Sequence, residues 1–187
     1  MDYKDMERKV WYVWTVVAFI SIFSLLMPIF EIRYSGIAYI SPEIYSGYRV
    51  LFDTNVPRFW NASYIGRSSI EFLTLKVLLC GQLLFDIMLI LVWVSRCWHE
   101  KIETIFYIIT RRICVVLYPL ILVEIQRCVR RYVSSYKGGI LGGRAFWTGG
   151  YGWSRWFHCV FIVGVIILSV LSLIVIIKSK ACGNTKN

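Results

Sequence analysis

Most of what would make this chain an enzyme is missing from it. It has two histidines, His99 and His158, which its apolar runs set far apart. Neither has a cysteine or carboxylate nearby at metal-ligand spacing. There is no nucleophile elbow, no paired carboxylates suited to hydrolysis and no zinc-protease motif. The glycines at 138–139, 142–143, 149–150 and 152 lack both the Gly-Lys-Ser/Thr ending and the preceding strand of a phosphate-binding loop. We therefore read a chain that is not an enzyme, with no metal centre, no cofactor and no nucleic-acid partner. The six cysteines do not build an extracellular framework either. Cys80 and Cys114 fall inside apolar runs, where a thiol behaves as a small apolar residue. Cys128 and Cys159 lie near the ends of such runs and could bridge a loop, although spacing alone does not fix a pairing. Cys97 and Cys182, beside Arg96 and Lys180, are candidates for reversible palmitoylation at a cytoplasmic boundary.

What the chain has instead is apolar surface. With 187 residues, 58% of them apolar and 17% aromatic, it carries more than a soluble domain of that size can hide. Four runs, at about 11–30, 71–95, 102–126 and 156–177, approach or exceed the roughly 20 residues that cross a bilayer. The first lacks the small-residue cleavage site of a signal peptide and ends in Met27-Pro28-Ile29-Phe30. The last is followed by Lys178 and Lys180, which suit an interface. The expected fold class is an all-α membrane protein, a single four-transmembrane-helix bundle over 1–187.

Charges interrupt the middle two runs. Asp86 lies within the second, and Arg111 and Arg112 break the third. Charges at membrane depth almost always find a partner. If the chain reverses near Trp98 and His99, a position n on one helix meets about 198 minus n on the other. Asp86 then lies level with Arg111 and Arg112, and Lys76 comes within a turn of Glu124. The expectation is a hairpin stitched by intramembrane charge pairs.

The outer loops fall at 31–70 and 127–155. The first scatters tyrosines, Phe52, Phe59 and Trp60 among turn residues, and Gly36–Ile40 and Tyr48–Phe52 suit short strands in a small extracellular lobe. Asn61-Ala62-Ser63 is a glycosylation sequon; a glycan there would require that loop outside and both termini cytoplasmic, the orientation expected for a long structured loop that carries a sequon. Lysine and arginine counts, eight on the terminal side against ten on the other, do not set the orientation. The second loop opens with Arg127, Arg130 and Arg131 and continues with Trp147, Tyr151 and Trp153. This basic, aromatic surface fits anionic headgroups, sulfated glycans or an acidic partner.

Tyr151-Gly152-Trp153-Ser154 at the entry to the fourth run, Arg67 before the second, and the long-then-shorter outer loops around a tight inner turn together carry a resemblance. The chain resembles the claudin and peripheral-myelin type tetraspan superfamily, which includes the stargazin-like channel auxiliary subunits. It departs from that pattern in the first loop, where Phe59-Trp60-Asn61 stands without the family's Gly-Leu-Trp and two cysteines. The resemblance implies a plasma-membrane protein of cell junctions and adhesion, or an auxiliary subunit of a larger complex. Its partners would be membrane lipids and other membrane proteins or itself, in the same or a facing membrane. The alternative is a small channel or transporter subunit that uses Asp86, Arg111 and Arg112 to line a polar path.

Overall fold

In a computed structural model, residues 3–34, 43–52, 67–98, 105–135, 143–147 and 152–184 are described. The chain is mostly helical, with a small sheet. In order, it forms α1 (Tyr3–Ser24), β1 (Pro28–Tyr34), β2 (Glu43–Ser46), α2 (Gly47–Phe52), α3 (Arg67–Trp98), α4 (Ile105–Ser135), β3 (Gly143–Trp147) and α5 (Gly152–Asn184). α1 packs on α3 and α5, and α4 packs on the same two, so the four long helices close a ring in the order α1-α3-α4-α5. Connectivity makes ring neighbours antiparallel and sets all three strands at one end of the ring.

Two helical stretches, Ile70–Val94 and Trp156–Lys178, are long and apolar enough to cross a membrane, while the apolar part of α1, Lys9–Ser24, is shorter. The outward faces are apolar on all four long helices. Phe19 and Phe23 on α1, Leu84 and Leu91 on α3, Val116 and Leu120 on α4, and Val163 and Leu171 on α5 are all exposed. Contiguous apolar surface of this extent needs a cover.

α1 stops at Ser24, which corrects the expected first span of 11–30. Pro28 holds the residue before it out of the helical region. The chain leaves through a tight turn, with Leu26 N donating to Phe23 O and Met27 N to Ser24 O, both at 3.0 Å. Residues 28–30 then open β1 instead of ending a span. A second correction falls on Tyr48–Phe52, which is helical and not a strand. Ser46 Oγ accepts from Arg49 N at 3.3 Å, an N-cap bond, and Gly47, Val50 and Leu51 are buried at helical spacing. Gly36–Ile40 lies outside the described residues.

The sheet has the order β2-β1-β3. β1 pairs antiparallel with β2 (Phe30 opposite Tyr45, Ile32 opposite Glu43) and with β3 (Phe30 opposite Trp147, Tyr34 opposite Gly143). β3 comes from the second loop, for which no strand was expected, so one sheet joins both loops. Its central residue is Phe30, fully buried, stacked on Tyr45 at 4.8 Å and tilted on Tyr132 of α4 at 4.9 Å. Tyr132 in turn meets Phe72 of α3 at 5.7 Å. Each such aromatic pair adds about 0.5–1.5 kcal/mol beyond its area. This cluster, with Leu75, Leu79, Ile125 and Val129, seats the sheet on α3 and α4.

Candidate functional site

A second core, around Trp14, Leu89, Val115, Tyr118 and Val165, fills the other half of the ring. Between the two cores lies a polar layer. Its centre is Asp86, 0% exposed. Ser21 Oγ of α1 donates to Asp86 Oδ2 at 2.7 Å, and Tyr118 OH of α4 donates to Asp86 Oδ1 at 2.7 Å. Gln82 Nε2, one turn from Asp86 on α3, donates to Ser21 Oγ at 2.7 Å. Ser24 Oγ closes onto the Ser21 carbonyl at 2.6 Å. Separately, two turns along α1 from Ser21, Trp14 Nε1 of the second core donates to Ser172 Oγ of α5 at 2.9 Å.

Local sequence explains how each element delivers its group. Trp11, Trp14, Ala18, Ser21 and Leu25 recur at three- and four-residue spacing and are all buried, so Ser21 is carried inward on the packing face of α1. On α3, Leu75, Leu79, Gln82, Asp86 and Leu89 follow the same period and are buried. Tyr118 precedes Pro119, which stands inside α4 and removes one helical hydrogen bond. A buried hydrogen bond contributes about 0.5–1.5 kcal/mol net and its loss leaves a costly unpaired group, so a carboxyl bonded from two other helices fixes their mutual register.

The expected pairing of Asp86 with Arg111 and Arg112 is corrected. α3 runs to Trp98 and α4 starts at Ile105, so Asp86 meets Tyr118, two turns beyond Arg111. Arg112 is exposed and level with residue 92, near the Val94 end of the apolar stretch. The Arg111 side chain lies outside the described residues. In this register Lys76 falls level with Cys128, about a turn from Glu124. Glu124 bridges to Arg127 at 3.5 Å and to Arg131 at 3.7 Å.

Cys128 and Cys159 are both free thiols, which corrects their suggested disulfide. Cys128 is buried towards α3, where its Sγ donates to the Glu71 carbonyl at 3.1 Å, while Cys159 stands on α5. Arg127, Arg130 and Arg131 are exposed on the last turns of α4, beside the sheet. Trp147 is in β3 and Trp153 in the first turn of α5, with their side chains outside the described set. Tyr151, Asn61 and the side chains of Cys97 and Cys182 lie outside it too.

Sequence reasoning missed Ser21, Gln82, Tyr118 and the Trp14–Ser172 bond. A signal for the first two was present: Ser21 and Ser24 sit three apart in an apolar helix, and Gln82 and Asp86 four apart in another. Among the described residues, no group of three or more His, Cys, Asp or Glu could hold a metal ion. Chemically the layer is a hydrogen-bond network that ties α1, α3 and α4 together. Comparison with family models, curated proteins and solved structures finds no match for this chain.

Proposed function

We propose that this chain is a non-enzymatic four-span membrane protein of claudin-like layout, placed in the plasma membrane with cytoplasmic termini. It works through its outer face, in cell-cell contact or as an auxiliary subunit of a larger membrane complex. α1 and α4 supply the first and third spans beside the two long apolar helices, and Arg112 snorkels to the inner headgroups. The observation that carries this reading is the single sheet β2-β1-β3, woven from both loops and seated on α3 and α4 by the Phe30, Tyr45, Phe72 and Tyr132 rings. Such a lobe presents a fixed surface to a partner in the same or a facing membrane, and pre-organisation lowers the ordering cost of binding. Its flank is basic: Arg49 stacks on Tyr45 at 4.3 Å, and Arg33, Arg127, Arg130 and Arg131 are exposed. Basic groups at that level suit acidic partner surfaces and lipid headgroups.

The small-channel alternative would route a path past Asp86, Arg111 and Arg112. Asp86 is fully enclosed, and Trp14, Tyr118 and Val115 fill the ring on one side of it, which favours the first reading. The test is affinity purification of the full chain from mild detergent, with partners identified by mass spectrometry. Arg127→Glu, Arg130→Glu and Arg131→Glu together should remove specific partners that wild type retains. Recovery of wild type alone, together with ion conductance in reconstituted vesicles, would reverse the choice.

A further inference from the structure

Beside the Asp86 layer, towards the sheet, the ring contains a cavity of about 20 Å³. Ser24, Gln82, Gln126 and His158 line it together with apolar side chains such as Leu122 and Phe161. Two of its polar atoms, Gln126 Oε1 and His158 Nε2, are buried and make no hydrogen bond among the described residues. A buried polar atom without a partner is costly, and nearly all such atoms in folded proteins are bonded to protein or to ordered water. A water needs at least 10–15 Å³ and two to four polar partners; the cavity has that volume and is lined by four polar side chains.

We propose that this cavity is a binding site for one internal water, held between Gln126 Oε1 of α4 and His158 Nε2 of α5 and completed by Gln82 and Ser24. Water donates to the Gln126 carbonyl oxygen, and it meets His158 Nε2 as donor or acceptor, whichever tautomer the ring adopts. Gln82 already donates to Ser21, and Ser21 to Asp86. The water therefore continues the polar layer outward, from Asp86 to His158. It also gives α5 a second polar tie to the ring, after the bond from Trp14 to Ser172.

A dry cavity and a hydrated one give opposite signs. If the two atoms were simply unpaired, replacing either by an apolar group would raise the Tm. If they share a water, Gln126→Leu and His158→Phe should each lower the Tm in detergent by about 2–4 °C. The double variant, which dries the site, should then recover most of that loss. Singles that raise the Tm, or losses that simply add in the double variant, overturn the proposal. Should the variants fail to fold, nuclear magnetic resonance on the wild-type chain decides it. The Gln126 side-chain amide, selectively labelled, should show magnetisation transfer from a long-lived bound water, and its absence refutes the site.

Discussion

Asp86 receives hydroxyl hydrogens on both oxygens from α1 and α4, so its removal should be felt on three helices. Asp86→Ala leaves the Ser21 and Tyr118 hydroxyls facing an apolar gap and should cost about 2–6 kcal/mol, about 1–3 for each buried donor left unsatisfied. Asp86→Asn keeps the shape and one acceptor and should lose less. Tyr118→Phe should cost about 1–3 kcal/mol, and a double-mutant cycle with Asp86→Ala should be strongly non-additive, since both remove the same bond. Arg112→Leu, at an exposed position, should change stability by less than about 0.5 kcal/mol. Detergent-phase thermal unfolding reads all four, and a loss at Arg112 as large as that at Asp86 would restore the discarded ion pair. That Asp86 needs a partner was legible from its place inside an apolar run. The partner's identity was not, because a shift of two turns in the hairpin register replaces an arginine by a tyrosine hydroxyl.

At the scale of elements, the joint between α1 and the sheet lobe turns on Gly47. A Cβ there would stand 2.8 Å from Leu25 Cδ2, 3.0 Å from Leu25 Cα and 3.1 Å from Leu25 O. Tyr48 N donates to that carbonyl at 3.0 Å, so the backbone has no freedom to retreat without losing a bond. Gly47→Ala should therefore cost about 1–3 kcal/mol, visible as a lower Tm. The lobe also has an alkaline limit. Burial, and then the carboxylate of Glu43 to which Tyr45 OH donates at 2.7 Å, hold the Tyr45 phenol well above its ordinary range. A proton held more tightly in the folded state stabilises below the unfolded tyrosine value of about 10 and is lost as pH rises beyond it. Tm measured between about pH 9 and 11 should fall less steeply for Tyr45→Phe than for wild type; parallel curves would remove Tyr45 from the account. The helical assignment of Tyr48–Phe52 could have been reached from Ser46 and the spacing of Val50 and Leu51, but aromatic and β-branched content pointed the other way.

For the whole molecule, connectivity sets the sheet at one end of the ring and the amino terminus of α1 and carboxyl terminus of α5 at the other. With the lobe outside, a carboxyl-terminal tag should be reached by antibody only after permeabilisation, and Asn61→Gln should abolish any endoglycosidase-sensitive shift in mobility. Labelling of intact cells at that tag would reverse the orientation and with it the proposed outer face.

Apolar content and the lengths of its runs implied, without any coordinates, four apolar helices and more hydrocarbon than a soluble domain of this size can hide. The end of the first helix was not read from it: the span was expected to run to residue 30, although Pro28 carried a local signal against that, and α1 stops at Ser24. These are local effects, fixed by side-chain chemistry and backbone sterics over a few residues. Tertiary structure alone decided that Tyr118 and Ser21 would meet Asp86, that Cys128 would turn to Glu71 and that β3 would cross from the second loop to pair with β1. Each of those depends on the relative height of segments separated by dozens of residues. One residue along a helix moves a side chain 1.5 Å and turns it by about 100°, so an error of a few residues in a turn is enough to exchange every partner.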